Sequence, residues 1–339
     1  MKNVKNKTTL ILGYGVASNA YASLIDNQGL KGIILGSPVD NIRINNLKKN
    51  QKKINKKIHF SKNIKFLNSN EIKKIDFNDI NLIIIGTNTR GINWVINILK
   101  NVEKNILVLI ITKGLISYKK KIITISQYLK LRTKIKNVVM SAGPCLANEL
   151  LNKVHTRTVF SSNKISNSKK IKNILENKYY HPDTNNDLIG SEVCSAIKNI
   201  YSIIIGSTLV ENKKNKKFIF NTSAGIFQQS LKEMNFIVKK FGGRTDSVLG
   251  LAGSGDLYVS ILGGRNSQLG NYLGKGLLYK NIINNKMVNI TVEGADLIIS
   301  LGKRIVTKFG KKNLPLLNSL CNAILFNKRL YLDWKQFIN

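Results

Sequence analysis

The sequence predicts an α/β protein: a doubly wound, mostly parallel sheet in the N-terminal half and an all-helical C-terminal domain. Three observations carry this. Short continuous apolar runs alternate with amphipathic stretches through the first half. A Gly-x-Gly turn joins the first apolar run to the first amphipathic stretch. Beyond residue 187 strand-like runs become rare and long helical patterns take over. With 339 residues and ~150 residues per domain, about two domains are expected, and we place them at 1–187 and 188–339.

Thr8–Leu12 is β-branched and apolar and opens the sheet. Ser18–Asn27 reads as the first helix, Gly32–Leu35 as a second strand and Asp40–Lys57 as a polar helix. Leu82–Gly86, Ile106–Thr112 and Val138–Ser141 continue the strand pattern. Apolar runs bounded by turn residues indicate strands covered on both faces, as in a parallel sheet between helical layers. The polar segment His181–Asp187 reads as a linker. After it, Leu188–Val210 is long and apolar with Glu192 and Lys198 inside it. Phe218–Phe241, Thr291–Lys308 and a last helix opened by Pro315 complete the second domain.

Composition limits the function classes. The chain has 54 Lys+Arg against 18 Asp+Glu, a net charge of +36. That charge admits a nucleic-acid or anionic-membrane partner. It equally admits compositional drift, because Lys, Asn and Ile are abundant together and no RNA-binding aromatic motif interleaves the short clusters Lys48-Lys49, Lys52-Lys53, Lys56-Lys57 and Lys213–Lys217. The three Cys (145, 194 and 321) build no disulfide framework, and the three His have no metal spacing. Both points favour a reducing, cytoplasmic setting. Met1–Thr8 has no apolar run long enough for a signal peptide. No stretch is expected to reach the ~18 apolar residues of a membrane span.

Ile11-Leu12-Gly13-Tyr14-Gly15-Val16-Ala17-Ser18 lies where a Rossmann-type sheet binds a dinucleotide. Gly13 permits the tight turn, and Gly15 lets backbone approach a pyrophosphate facing the helix N-terminus. Ser18 stands in the third glycine position. After the second strand comes Ser37 rather than a carboxylate. Ser37 tolerates a 2′-phosphate and Arg43 attracts one, which tilts the reading toward NADP, while Asp40 keeps NAD open.

Two lysines suit chemistry. Lys113, in Thr112-Lys113-Gly114 at a strand end, can meet an anionic substrate or simply be solvated. Lys198 sits inside an apolar helix, where an ammonium needs partners or a lowered pKa, unless it snorkels along a polar edge. The glycine-dense stretch Leu251–Asp256, continuing to Gly263-Gly264-Arg265-Asn266, suits close approach to a ligand or a plain inter-helix loop. Arg265 there can grip a phosphate bidentately.

These stretches together resemble the bacterial NAD(P)-dependent glycerol-3-phosphate dehydrogenase family. The resemblance runs in order through Gly13-Tyr14-Gly15, Thr112-Lys113-Gly114, Ser141-Ala142-Gly143-Pro144 with Ala147 and Glu149, Lys198-Asn199, Gly255-Asp256-Leu257, Gly264-Arg265-Asn266 and Val292-Glu293-Gly294. It implies reversible hydride transfer between NAD(P)H and dihydroxyacetone phosphate, giving sn-glycerol 3-phosphate for glycerophospholipid synthesis, in a homodimer.

On this chain it implies Lys198 as general acid/base, with Lys113 near cofactor and substrate. Gly143, Cys145, Asn199, Asp256, Gly264, Arg265 and Asn266 would contact substrate. Gly13, Gly15, Val16, Ala17, Ser37, Lys113, Ala147, Arg265 and Glu293 would contact cofactor. The chain departs from the family pattern at Val16-Ala17, Ser18, Gly86 (usually proline), Cys145 (usually Ser or Thr) and Asn148 (commonly lysine). The alternatives are a dehydrogenase of the same build acting on another small carbonyl acid, and a basic nucleic-acid-binding protein with a decayed site. The Gly-Gly-Arg-Asn stretch suits a phosphate and speaks against the first. The ordered glycine and lysine motifs have no role in the second.

Overall fold

The structure is a computed structural model that describes residues 7–50, 59–100, 102–103, 105–210 and 220–337. The clusters Lys52-Lys53, Lys56-Lys57 and Lys213–Lys217 lie outside the described residues, as do residues 1–6. The chain divides into two compact units. Unit 1 comprises residues 1–116 and 123–188, and unit 2 comprises residues 117–122 and 189–339.

Unit 1 is built on an eight-stranded sheet. Its elements begin β1 (Thr8–Leu12), α1 (Val16–Asn27), β2 (Lys31–Leu35), α2 (Asn41–Lys49), β3 (Ile64–Leu67), β4 (Ile80–Ile85), α3 (Ile92–Leu99) and β5 (Leu107–Ile110). A two-stranded hairpin follows, β6 (Leu115–Tyr118) with β7 (Lys121–Thr124), whose residues 117–122 are counted with unit 2. Then come α4 (Ile125–Arg132), β8 (Asn137–Ala142), α5 (Ala147–Leu151), β9 (Thr156–Ser161), α6 (Ile165–Leu175) and β10 (Tyr180–Asn185). The sheet order is β10-β9-β8-β5-β4-β1-β2-β3. Every neighbouring pair is parallel except β8 with β9, which run antiparallel. Leu10, Ile11, Leu12 and Leu82–Ile85 are fully buried, as expected of strands covered on both faces. The strand order reverses at β1, so the loop after β1 opens at the switch point where such sheets bind ligands.

Three expectations need correction. His181–Asp187 is no linker: Tyr180–Asn185 is a strand paired with β9, at the sheet edge. The edge explains why Pro182 and polar residues are tolerated in it, since the outer rim of an edge strand has no ladder to break. The helix expected over Asp40–Lys57 opens with a 3₁₀ turn at Pro38–Asp40 and runs over Asn41–Lys49 among the described residues, while positions 51–57 of that expectation lie outside them. Finally, one helix, Leu188–Gly206, is long and apolar enough by composition to cross a bilayer, yet 94% of that stretch is buried inside the protein. Its apolar character is that of a core helix.

Unit 2 is helical: α7 (Leu188–Gly206), α8 (Phe220–Lys240), α9 (Thr245–Leu249), α10 (Asp256–Ile261), α11 (Arg265–Gly274), α12 (Tyr279–Asn285), α13 (Glu293–Leu297), α14 (Lys303–Phe309) and α15 (Pro315–Leu325). α7 is its axis. Ile197, Ile200, Tyr201, Ile203 and Ile204 are fully buried, each such side chain worth ~1.5–3 kcal/mol. Small residues let α11 and α13 approach it closely. A Cβ on Gly270 would fall 2.0 Å from the Ile203 carbonyl oxygen, and one on Gly294 2.5 Å from that of Asn199.

A buried carboxylate ties α7, α8 and α15 together. Glu233 accepts hydrogen bonds from the backbone N–H groups of Leu316 (2.7 Å) and Leu317 (3.1 Å) at the start of α15, and from the Tyr201 hydroxyl (3.2 Å). These donors favour the carboxylate, but burial outweighs them and pushes the Glu233 pKa up to about 7. Between about pH 4.5 and 7 the native state therefore holds a proton that the unfolded chain has released, so the group's contribution to stability falls as pH rises and the penalty persists above pH 7. Glu233→Gln should remove this dependence. Denaturation of both proteins from pH 5 to 8 should show the parent losing stability relative to the variant by up to ~1.4 kcal/mol per pH unit, levelling off near neutrality. Parallel curves would contradict the assignment.

Candidate active site

In unit 1 the loop after β1 is shaped by glycine. Gly13 has φ +100°, and a Cβ there would lie 2.8 Å from the Thr87 side chain and 3.0 Å from the Thr87 nitrogen. Gly15 is the N-cap of α1 with extended backbone and no side-chain cap, so the first-turn N–H groups, beginning at the exposed Val16 and Ala17, remain open to an anion. This turn fits the pyrophosphate of a dinucleotide. Gly13, Gly15, Val16 and Ala17 thus stand together.

Two departures noted in the sequence meet in space. Ser18 packs on Gly86, its hydroxyl donating to the Gly86 carbonyl (3.3 Å). A Cβ on Gly86 would lie 2.2 Å from the Ser18 Oγ. The extra atoms at position 18 occupy the space that a side chain at position 86 would need, so the two exchanges are one packing solution.

Ser37 behaves differently from the expectation. Its backbone N–H (2.9 Å) and its hydroxyl (2.5 Å) both donate to Asp40 Oδ2, which also faces the Tyr14 N–H at 3.4 Å. Both Ser37 donors are thus engaged by Asp40 in this structure. Arg43 is exposed on α2. Asp40 braces the end of β2 against the glycine turn.

Beyond α1, a pocket within unit 1 is lined by Lys113, Gly143, Cys145 and Ala147, with Ala17 on its helical wall. Five residues singled out from the sequence converge there. Lys113 follows β5, and its loop is pinned by the Thr112 hydroxyl, which donates to the carbonyls of Thr87 (2.6 Å) and Ile85 (3.1 Å). Gly143 has φ +98°, a left-handed turn that ends β8. Two more polar residues line the same pocket: Tyr21, which sequence reasoning missed, and Ser141, which it quoted in a motif without giving it a role.

In unit 2, Lys198 is buried on α7, not snorkelling. Its Nζ donates to Asp256 Oδ1 at 2.8 Å and to the Ser260 hydroxyl at 2.5 Å. Asp256 starts α10 directly after a π-helical segment, Leu251–Gly255. Such wide turns recur at functional sites. Here the glycines make it possible, since a Cβ on Gly253 would fall 2.2 Å from the Val248 carbonyl oxygen. Ser260, four residues after Asp256 on α10, also donates to the Asp256 carbonyl (2.7 Å). It was not identified from the sequence, although the i,i+4 spacing from Asp256 places both on one face.

Asn199 is buried beside Lys198. Gly264 is the N-cap of α11 with no side chain to cap it, and Arg265 and Asn266 are the first two helical residues. Arg265 pairs with Glu293 in α13, and Asn266 Oδ1 accepts the Gly294 N–H at 2.9 Å. An uncapped helix start next to a guanidinium is suited to a phosphate. Among the described residues no group of His, Cys, Asp and Glu is arranged to hold a metal ion.

The sheet order and the glycine turn at its switch point define the class: a dinucleotide-binding protein of the doubly wound type carrying a helical second unit. Residues 9–168 match the family described as the NAD-dependent glycerol-3-phosphate dehydrogenase N-terminus, and residues 187–332 match that enzyme's C-terminus. With both halves matched in order, the chain belongs to the NAD-dependent glycerol-3-phosphate dehydrogenase family.

An NADP(+)-dependent glycerol-3-phosphate dehydrogenase of Archaeoglobus fulgidus is 33% identical over 199 residues, 58% of this chain and 59% of that relative's length. The chain thus spans less than two thirds of that relative. A glycerol-3-phosphate dehydrogenase [NAD(P)+] of Mycoplasma mobile is 28% identical over 96% of this chain and 94% of its own. The crystal structure of glycerol-3-phosphate dehydrogenase from Coxiella burnetii shares the fold, with a TM-score of 0.80 and 22% identity over 98% of both chains.

The Ser18–Gly86 contact is open to a double-mutant test. Gly86→Ala alone should destabilise the protein by ~1–3 kcal/mol through overpacking and should weaken dinucleotide binding by displacing α1. Ser18→Gly together with Gly86→Ala should recover most of both losses. Additive effects in urea denaturation and in cofactor titration would show the two positions to be independent.

Proposed function

We propose that this chain reduces dihydroxyacetone phosphate to sn-glycerol 3-phosphate with NADH or NADPH, reversibly, and so supplies glycerophospholipid synthesis. The observation that carries the reading is the buried Lys198–Asp256 pair on α7 and α10, inside a chain of this family.

The nicotinamide, when bound, supplies the hydride that reaches the central carbon. The protein's part is the proton and the charge. Lys198 is the acid: its Nζ gives a proton to the ketone oxygen as the C–O bond becomes an alcohol, and takes it back in the reverse direction. Asp256 is the counter-charge without which an ammonium would not stay in the apolar helix. It and Ser260 fix the direction of the N–H bonds. Lys113 adds positive charge where the alkoxide develops. Arg265, with the open start of α11, holds the phosphate, and Asn199, Asn266 and Gly264 complete the contacts. The turn at Gly13 and Gly15 takes the pyrophosphate, while Ala147 and Glu293 contact the cofactor. In this reading residues 1–187 form the dinucleotide domain and 188–339 the substrate domain. The protein acts in the cytoplasm as a homodimer, and size-exclusion chromatography with light scattering would test that state.

Removing the Lys198 side chain would strand Asp256 in a dry site, at a cost of ~3–5 kcal/mol. The sharper variant is Lys198→Arg, which keeps a cation opposite Asp256 but does not release a proton near neutrality. It should fold, bind NADH and lose ~10²–10⁴-fold in kcat with dihydroxyacetone phosphate, followed by absorbance at the nicotinamide band. Retention of near-parental kcat would remove Lys198 from the chemistry. Faster turnover of phosphate-free keto acids would remove the substrate.

A further inference from the structure

The pocket of unit 1 opens onto a buried chain of four hydroxyls. The Thr158 hydroxyl donates to the Tyr180 hydroxyl (2.9 Å). Tyr180 bonds Tyr21 (3.0 Å), and Tyr21 bonds Ser141 (2.5 Å). Thr158 and Tyr180 are completely buried, whereas Tyr21 and Ser141 line the pocket. Burial raises the pKa of both phenols, so every hydroxyl keeps its proton at working pH.

Four hydroxyls joined by three hydrogen bonds leave one proton over. At the Thr158 end it would be a buried donor with nothing to bond, which costs ~1–3 kcal/mol. With Thr158 donating to Tyr180, the order that gives every buried proton a partner runs from Tyr180 to Tyr21 and from Tyr21 to Ser141, which leaves the Ser141 proton for the pocket. A donor at the end of such a relay is polarised by the bonds behind it. Among the lining side chains, Tyr21 has its proton directed to Ser141, and the Cys145 thiol is a weak donor. Apart from the Lys113 ammonium, Ser141 is the pocket's strong donor. Ala17, Ala20, Ile111 and Ala147 make the rest of the wall apolar.

We propose that the Ser141 hydroxyl donates a hydrogen bond to an uncharged carbonyl oxygen of a ligand in this pocket, and that this oxygen is the carboxamide of the nicotinamide. An apolar wall with one directed neutral donor suits a flat ring carrying a single carbonyl better than it suits a phosphorylated, hydroxyl-rich chain. The inference rests on the dinucleotide reading of unit 1. It makes Ser141, which the sequence shows only as the first residue of the Ser141-Ala142-Gly143-Pro144 stretch, a determinant of ring orientation.

The test compares NADH with ADP-ribose, which has the same phosphates and adenosine but no nicotinamide, by calorimetric titration of the whole protein. Ser141→Ala should weaken NADH roughly 3- to 10-fold and leave ADP-ribose unchanged. Unchanged ADP-ribose affinity also reports that the variant is folded. Tyr21→Phe breaks the same chain but leaves the Ser141 hydroxyl in place. It should retain most of the preference for NADH, which a merely structural role would not allow.

Equal losses for both ligands in Ser141→Ala, no loss for either, or a Tyr21→Phe loss matching that of Ser141→Ala would overturn the proposal. A change confined to the KM of dihydroxyacetone phosphate would move the bond to the substrate ketone and overturn the assignment to the carboxamide. If the parent protein bound neither NADH nor ADP-ribose, the dinucleotide reading itself would fall, and the proposal with it.

Discussion

A charged amine held inside an apolar helix constrains the rest of unit 2. Lys198 and Asp256 lie 2.8 Å apart and almost wholly out of water. Desolvating two ions costs several kcal/mol each, and well-packed hydrophobic residues are often as stable a filling. Such a pair is poor value as a stabiliser, which makes a chemical reason for it the better account. The local structure follows from the need to bring a carboxylate to that amine. The glycine-dense π segment delivers Asp256, Ser260 supplies a second acceptor one turn later, and the small residues of α11 and α13 close in on the same helix.

Unit 1 meets a different demand, presenting bare backbone to an anion without a loose loop. It does so by bracing the glycine turn from two sides. Asp40 takes the Ser37 donors and faces the Tyr14 N–H, while Thr87 fills the space beside Gly13 that a side chain would need. Ser18 then substitutes for a small neighbour on β4's side of the turn. The turn keeps its shape although its third glycine is gone, because Gly86 absorbs the change.

Much of this architecture was legible from periodicity and punctuation. Strands β1, β2, β4, β5 and β8, the long helix around Lys198 and the last helix at Pro315 carry clear signals, whereas β3 went unread. β9 and β10 carry no such signal. β10 is polar and contains a proline, and only its place at the sheet edge makes that sequence a strand. In the site, single residues with unusual chemistry for their surroundings, Lys198 above all, could be picked out. Relations between distant residues could not. Ser18 and Gly86 are 68 positions apart, and Tyr21 and Ser141 are 120 apart. Nothing local in either partner announces the contact. Ser37 shows the same limit at short range: its type and position suggested a phosphate partner, and its hydrogen bonds to a neighbour three residues on were not legible.

The edge strand β10 has one more consequence. A rim of unpaired backbone invites a second chain to add itself and keep adding, the route to fibrous accretion. Pro182 deletes one donor from that rim, and the exposed Arg157–Asp183 pair and the neighbouring imidazoles of His155 and His181 crowd it with hydrated groups. The residues that disguised this segment as a linker are the ones that keep the sheet from recruiting neighbours at the concentrations of a crowded cell.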